Sequence, residues 1–192
     1  MFREIALLVV RVYRFFRKPK NENYVATEKS KALNERLIWE QIPKLPTVKV
    51  KWVIDGDTVI VIKGRKEITI RLDSIDCPED GQEWGDIATY ALIKLIGGKS
   101  VKIEEHGYDD YGRVLATIYI WSEYKKKKDW LNVNERMVVL GHAWVMRMFY
   151  DHLPFDRQDK LNRLEGWARS RRMGLWQKED PTPPWFWRKN KD

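Results

Sequence analysis

From residue 48 onward the hydrophobic pattern has the periods of a small β domain followed by helices. Val48, Val50, Trp52 and Ile54 alternate with polar or exposed-looking neighbours, residues 58–62 form a continuous apolar run, and Ile68, Ile70 and Leu72 alternate again. Asp55-Gly56-Asp57 and Lys63-Gly64-Arg65 supply turn chemistry between these runs, which predicts a three-stranded meander. Trp84, Ile87, Ala88, Ala91, Leu92 and Leu95 then recur at helical spacing and stop at Gly97-Gly98. Two more strands are indicated near 100–105 and 113–121. A short helix opening at Asn132 or Asn134 and closing at Gly141, and a last helix over about 155–173, complete the series. Five strands with a helix inserted after the third predict an α+β domain built on a small, partly open five-stranded barrel of the oligonucleotide-binding type, with about three packed helices.

The chain before residue 48 reads differently. Residues 1–20 mix Ile5, Leu7, Leu8, Val9, Val10, Val12, Phe15 and Phe16 with Arg3, Arg11, Arg14, Arg17 and Lys18, and the basic residues fall in one arc of a helical wheel. The uninterrupted apolar run, Ile5 to Val10, is far below the roughly 20 residues that span a bilayer. An interfacial helix on an anionic membrane surface, a helix packed on its own domain or on an oligomer partner, and a degenerate export signal are the readings left open, so the compartment stays undecided. Residues 21–47 read as a polar linker with one short helix around 29–41, closed by Pro43 and Pro46. The domain boundaries are therefore 1–20 for an N-terminal helical extension, 21–47 for the linker, 48–177 for the barrel domain and 178–192 for a Pro/Trp-rich tail in which Pro183-Pro184 turns Trp185-Phe186-Trp187 back over the barrel.

Charge narrows the partner class less than its total suggests. Of a formal net charge of +8, residues 1–47 hold ten Lys or Arg against five Asp or Glu, and the remaining residues hold 26 against 23. The basicity belongs mainly to the leader and fits nucleic acid and anionic membrane equally. A single cysteine, Cys77, excludes an internal disulfide framework and any zinc site that needs two thiolates.

Four segments carry chemistry when taken together: Asp55-Gly56-Asp57-Thr58, Ile70-Arg71-Leu72, Asp76-Cys77-Pro78-Glu79 and Tyr111-Gly112-Arg113. Singly, each reads as turn or surface chemistry. In combination they hold what metal-assisted phosphodiester hydrolysis requires: oxygen ligands for a hard cation, fixed positive groups for phosphate, and a carboxylate able to take a proton from water. Arg71 lies on the strand parity opposite to Ile68, Ile70 and Leu72, so its side chain leaves the core face.

In these motifs and their order the chain resembles the staphylococcal nuclease, or thermonuclease-like, family. The resemblance runs from about residue 48 to 176 and rests on Asp55-Gly56-Asp57-Thr58-Val59, Arg71-Leu72 before Asp76-Cys77-Pro78-Glu79, Tyr111-Gly112-Arg113-Val114-Leu115-Ala116, Asn134-Glu135 and Gly174-Leu175-Trp176. It implies an OB-fold nuclease holding one Ca²⁺ through Asp57, Asp76 and the backbone carbonyl of Cys77. It implies Glu79 as the catalytic glutamate and Arg71 and Arg113 as the phosphate-binding arginines. The implied reaction is endonucleolytic cleavage of DNA or RNA with 3′-phosphate products. Tyr111 matches a residue of the family's nucleotide pocket. Other pocket tyrosines are replaced near Arg147 and Phe149, which leaves Arg147 as a candidate substrate contact. Cys77 stands where the staphylococcal enzyme has threonine, and the loop after Glu79 is shorter here.

The alternative is a non-catalytic nucleic-acid- or protein-binding module on the same fold, against which the retention of all five side chains weighs. The ten tryptophans read as packing before base stacking, and residues 125–128 as a solvated hairpin tip. His106, His142 and His152 lack metal-ligand spacing in sequence, and Cys77 has no histidine partner nearby to make it a nucleophile.

Overall fold

The structure is a computed structural model that describes residues 40–124 and 127–190, so the expectations for the leader and for the linker up to residue 39 lie outside the described residues. The strands are β1 (Thr47–Val53), β2 (Thr58–Lys63), β3 (Lys66–Leu72), β4 (Ile75–Asp76), β5 (Ser100–Tyr108), β6 (Val114–Tyr124), β7 (Lys127–Asn132) and β8 (Trp144–Val145). The helices are α1 (Gly85–Ile96), α2 (Val133–Val139), α3 (Phe155–Ser170) and a short α4 (Pro184–Lys189) in the tail. Among the described residues no helix is long and apolar enough to cross a membrane.

β1, β2 and β3 form the expected antiparallel meander. β1 also pairs with β5 and β5 with β6, and β6 returns to lie parallel to β3 through Ile70↔Val114, Arg71↔Leu115 and Leu72↔Ala116. That parallel pairing closes five strands into a barrel, where the hydrophobic pattern alone predicts a partly open one. Closure removes both sheet edges at this point and brings the entrance of β6 beside the end of β3.

Closing so small a barrel requires bends, and two register shifts supply them. One lies between Val50 and Trp52 in β1 and one between Glu105 and Gly107 in β5. The first overturns the simple alternation along β1. Beyond the shift the phase changes, so that Val53 joins Val48 and Val50 in the core while Trp52 and Ile54 face outward. The second is built on Gly107, whose φ of 137° is open mainly to glycine.

Val59, Val61, Ile70, Leu72, Ile103, Ala116 and Ile118 fill the barrel, each essentially without solvent exposure. Burial on that scale contributes about 1.5–3 kcal/mol per large aliphatic side chain. α1 covers one end with Ala88, Leu92 and Ile96. It begins one residue later than its pattern indicates, because Trp84, at φ 75°, is the left-handed residue before the helix. Asn132 caps α2 by accepting from the Glu135 amide at 3.1 Å. α3 stops at Ser170, short of the expected 173, where Arg172 turns to φ 49° and the Met173 amide bonds Ala168. β7 is a strand the hydrophobic pattern does not show. It pairs with the outer part of β6 through Tyr119↔Asn132 to Tyr124↔Lys127, and its polar composition suits a ribbon lying beyond the barrel.

Candidate active site

Three segments meet where the ends of the meander strands converge: the turn between β1 and β2, the end of β3, and β4 with the loop that follows it. The turn between β1 and β2 is fixed by the Asp57 amide donating to Asp55 Oδ1 at 2.9 Å and by the Leu72 amide donating to the Asp57 carbonyl at 2.7 Å. Glycine is needed at position 56 because a Cβ there would stand 2.7 Å from the Cys77 Cβ and 2.9 Å from the Ala88 Cβ. Close approach of this turn to the segment after β4 sets the Asp57 carboxylate against it. Asp57 Oδ2 accepts from the Cys77 amide at 2.7 Å, and Oδ1 accepts from Thr58 Oγ1 at 3.1 Å.

Arg71, on β3 opposite Thr58 and beside Leu115, projects off the core face as its parity requires. Its guanidinium donates to the Ile75 carbonyl at 2.8 Å and the Leu72 carbonyl at 3.2 Å. It pairs with both acids, reaching Asp57 Oδ2 at 3.5 Å and hydrogen-bonding Asp76 Oδ1. One guanidinium thus bridges the two carboxylates, which places Asp57 and Asp76 within a single ion's reach of each other.

Asp76 is wholly buried at the end of β4, which is pinned by pairing with β8 and by the Met146 amide bonding the Ser74 carbonyl at 2.9 Å. Glu79 follows in the same loop. Its amide donates to Gln82 Oε1 at 3.0 Å, while the Gln82 amide donates back to the Glu79 carbonyl at 3.0 Å. The short connection to α1 presses Gly85 against this loop so tightly that a Cβ there would lie 2.1 Å from the Glu79 carbonyl oxygen.

The electrostatics are those of a crowded acidic hole. Burial raises the Asp55 pKa to about 6, reinforced by the charge of Asp57. Burial also raises that of Asp76, with the hydrogen bond from Arg188 and the charges of Arg71 and Arg188 pulling the other way. For Arg71 burial opposes the charged form, but Asp57 and Asp76 more than restore it and raise its pKa. Burial drives the Cys77 thiol well above its ordinary range, and its Sγ lies 3.1 Å from the Gly56 carbonyl oxygen. A protonated, enclosed thiol is no nucleophile.

The fifth residue is near but engaged elsewhere. Arg113 directly precedes β6 and shares parity with Leu115, the cross-strand partner of Arg71. Its guanidinium is held by Asp109 at 2.6 Å, and Asp109 Oδ1 also accepts the amides of Tyr111 and Arg113 at 3.0 and 2.9 Å. Tyr111 is 86% exposed, with the Arg113 guanidinium 5.5 Å from its ring centre. Arg147 donates to the buried Glu165 at 2.6 Å, and Glu165 in turn accepts the Val145 amide at 2.9 Å.

The tail folds back as its prolines predict, with Trp185 edge-on to Trp144, ring centres 5.5 Å apart. Two features have no signal in local sequence. The first is that α4 delivers Arg188 into the acidic hole. Arg188 hydrogen-bonds Asp76 Oδ2 at 2.9 Å and Glu79 Oε1. The second lies away from this site: although their spacing in sequence gives no sign of it, His106 and His152 lie together beside Asp73. Only the closed barrel brings these three segments together.

A hard divalent cation fits the Asp57 and Asp76 pair, which supplies two anionic oxygen donors facing one another across Arg71 with the Cys77 peptide alongside. Calcium takes six to eight oxygens, so the rest would come from backbone, solvent and substrate.

Comparison with known proteins gives the same pattern a wider setting. The model of the staphylococcal nuclease homologue family matches residues 69–178. An uncharacterized endonuclease of Escherichia coli is 38% identical over 143 residues, covering 74% of this chain and 85% of that protein. A micrococcal nuclease of Shigella flexneri is 38% identical over 138 residues, covering 71% and 77%. Staphylococcal-like nuclease CAN1 of Arabidopsis thaliana is 30% identical over 177 residues, covering 90% of this chain and 49% of its own length. With more than half its length, from within β3 onward, matched by that family's model, this chain belongs to the staphylococcal nuclease homologue family.

Proposed function

We propose that the chain is a Ca²⁺-dependent endonuclease that hydrolyses phosphodiester bonds of DNA or RNA and leaves 3′-phosphate ends. The observation that carries this is the convergence of Asp57, Arg71, Asp76 and Glu79 on one end of the barrel, with two carboxylates bridged by one guanidinium. The family match begins within β3, after the Asp57 turn, so the role of Asp57 leans on this geometry.

Asp57, Asp76 and the main-chain carbonyl of Cys77 would hold one Ca²⁺, which when bound adds positive charge at the phosphate and acidifies water beside it. Glu79 accepts the proton of the attacking water as the new P–O bond forms on the face opposite the leaving group. Arg71 hydrogen-bonds phosphate oxygens from the floor of the site, where its permanent charge is little screened. Arg113 exchanges Asp109 for phosphate, placing a second planar donor against the charge that builds on five-coordinate phosphorus. The P–O5′ bond then breaks, the 5′ oxygen takes a proton from solvent, and the phosphate stays on the 3′ side. Tyr111, exposed beside Arg113, offers a flat face to a neighbouring base.

Replacing Glu79 with Gln keeps the shape and removes the base, so single-stranded DNA cleavage falls about 10²–10⁴-fold while Tm holds. Product ends are read by whether a phosphatase is needed before 3′ extension. Undiminished cleavage by E79Q refutes the assignment. Tight binding without turnover in the parent chain points instead to a binding module.

A further inference from the structure

We infer that Asp73, His106 and His152 form a second metal site, distinct from the acidic hole and suited to a borderline divalent ion such as Zn²⁺, Co²⁺ or Ni²⁺. One ligand atom from each of the three side chains lies within 4.8 Å of the others, and the two imidazole rings are 5.2 Å apart at a tilt of 48°. Two imidazoles and one carboxylate are a donor set preferred by zinc and its neighbours over calcium.

The surroundings hold the ligands in place. Asp73, in the turn between β3 and β4, is buried, with Ser74 Oγ donating to Oδ2 at 2.7 Å and its own backbone fixed by the Ala116 carbonyl and by Asn134. His106, on β5, has Nε2 2.9 Å from Thr117 Oγ1, and donation of an Nε2 proton to that hydroxyl would leave the Nδ1 lone pair for an ion. His152, in the loop before α3, is half exposed and meets Asp73 Oδ2 at 2.8 Å, so it needs only a small shift to trade that contact for a shared ion. The nearby cation, Arg157, is committed to Glu104 through contacts of 2.9 and 3.0 Å. His142, the remaining histidine of the chain, accepts the Trp84 indole proton at 3.1 Å and stands apart. An ion here would tie β5, the turn that leads to Asp76 and the loop entering α3.

The test titrates Co²⁺ and Zn²⁺ into the full chain with Ca²⁺ in excess, following the visible d–d absorption of bound cobalt and the heat of zinc binding. The parent chain should show tetrahedral-type cobalt absorption and a Zn²⁺-dependent rise in Tm. His152→Ala and His106→Ala should each weaken binding at least tenfold and abolish the Tm rise. His152 is exposed enough that its variant folds. Absence of cobalt absorption, or equal affinity in the double histidine variant, overturns the site.

A different observation carries a second inference, which rests on the proposed calcium site. We propose that Arg188 is an intramolecular cation that competes with the metal, making the tail a latch over the active site. It bridges the two carboxylates given separate tasks above, reaching Asp76 through 2.9 and 3.3 Å contacts as well as Glu79. Neither acid can serve metal or water fully while it does so. The tail is seated by Lys178 on Glu83 at 2.5 Å, by Gln82 Nε2 donating to the Thr182 carbonyl at 2.7 Å, and by Trp185 on Trp144. That seat is imperfect. A cavity of about 130 Å³ remains between Pro78, Trp84, Trp144, Leu175, Pro181 and Trp187, and the buried indole N–H groups of Trp144 and Trp187 have no hydrogen-bond partner among the described residues. A cover that leaves a void and unpaired donors beneath it is readily displaced.

Because a closed latch lowers the binding-competent fraction, Arg188→Ala should tighten calorimetric Ca²⁺ affinity by about tenfold. Saturating Ca²⁺ should speed amide hydrogen exchange across residues 178–190 of the parent chain. Unchanged affinity in R188A together with unchanged exchange overturns the latch while leaving the calcium site standing. Failure of both proteins to bind Ca²⁺ overturns the site and the latch with it.

Discussion

Asn134 offers a sharp test of how the active-site turn is held. Its side chain is almost fully buried and works in three directions: Oδ1 accepts the Ile118 amide at 3.1 Å, and Nδ2 donates to the Asp73 carbonyl at 3.0 Å and the Ala116 carbonyl at 3.2 Å. Asn134→Ala therefore strips this partner from an N–H on β6 and from the carbonyl that opens the turn to Asp76. The Ala116 carbonyl keeps its bond from the Asp73 amide at 2.9 Å. Two buried groups left unpaired, at about 1–3 kcal/mol each and softened by any water that enters, give an expected loss of about 2–4 kcal/mol. For a domain of this size that is a fall in Tm of about 5–15 °C. Urea unfolding followed by tryptophan fluorescence measures it, with near-ultraviolet circular dichroism as a check on the folded state. Asn134→Asp keeps the acceptor for Ile118 but sets a negative charge against two carbonyl oxygens, so it should be no better than alanine. A loss below about 0.5 kcal/mol for Asn134→Ala would refute the view that this side chain fastens β3, β6 and α2 together.

Other outcomes follow from the same contacts. Arg113→Ala should lower kcat for single-stranded DNA about 10²–10³-fold with little change in stability, read from steady-state kinetics and a melt; equal kcat would remove Arg113 from the phosphate clamp. Gly85→Ala drives a methyl into the Glu79 carbonyl 2.1 Å away, so it should cut kcat more than tenfold and lower Tm, and a fully active variant would show that loop to be slack. His142 is pushed down to about 4 by burial and by the charge of Arg136. A depressed histidine pKa means the unfolded chain takes the proton first, so stability present at pH 7 is lost as pH falls from about 6.5 towards 4, by about 2 kcal/mol at pH 5. Urea titrations at the two pH values should show that loss in the parent chain and a smaller one in His142→Gln; identical slopes would contradict it.

Much of this was legible because local patterns and the site share strands. The parity of Ile68, Ile70 and Leu72 fixed both the core face of β3 and the outward direction of Arg71. The turn glycines and the order of motifs located Asp57, Asp76 and Glu79 at the same end of the barrel. What the pattern missed depends on contacts between distant segments. The register shift after Val50 reverses the faces of Trp52 and Val53 because barrel curvature, not alternation, decides which side is inside. Parallel closure of β3 on β6 carries no mark in either strand, and without it the meeting of Asp73, His106 and His152 cannot be anticipated. Arg188 belongs to a tail whose aromatic residues announce packing, but a single arginine there does not announce which carboxylates it will meet.

The most direct measurement is single-stranded DNA cleavage by the full chain in Ca²⁺ and in excess chelator, with E79Q alongside. The parent chain should cleave rapidly with Ca²⁺ and lose cleavage in chelator until Ca²⁺ is restored, and E79Q should cleave orders of magnitude more slowly than the parent chain with Ca²⁺ present. Equal cleavage by the parent chain with and without chelator would contradict it.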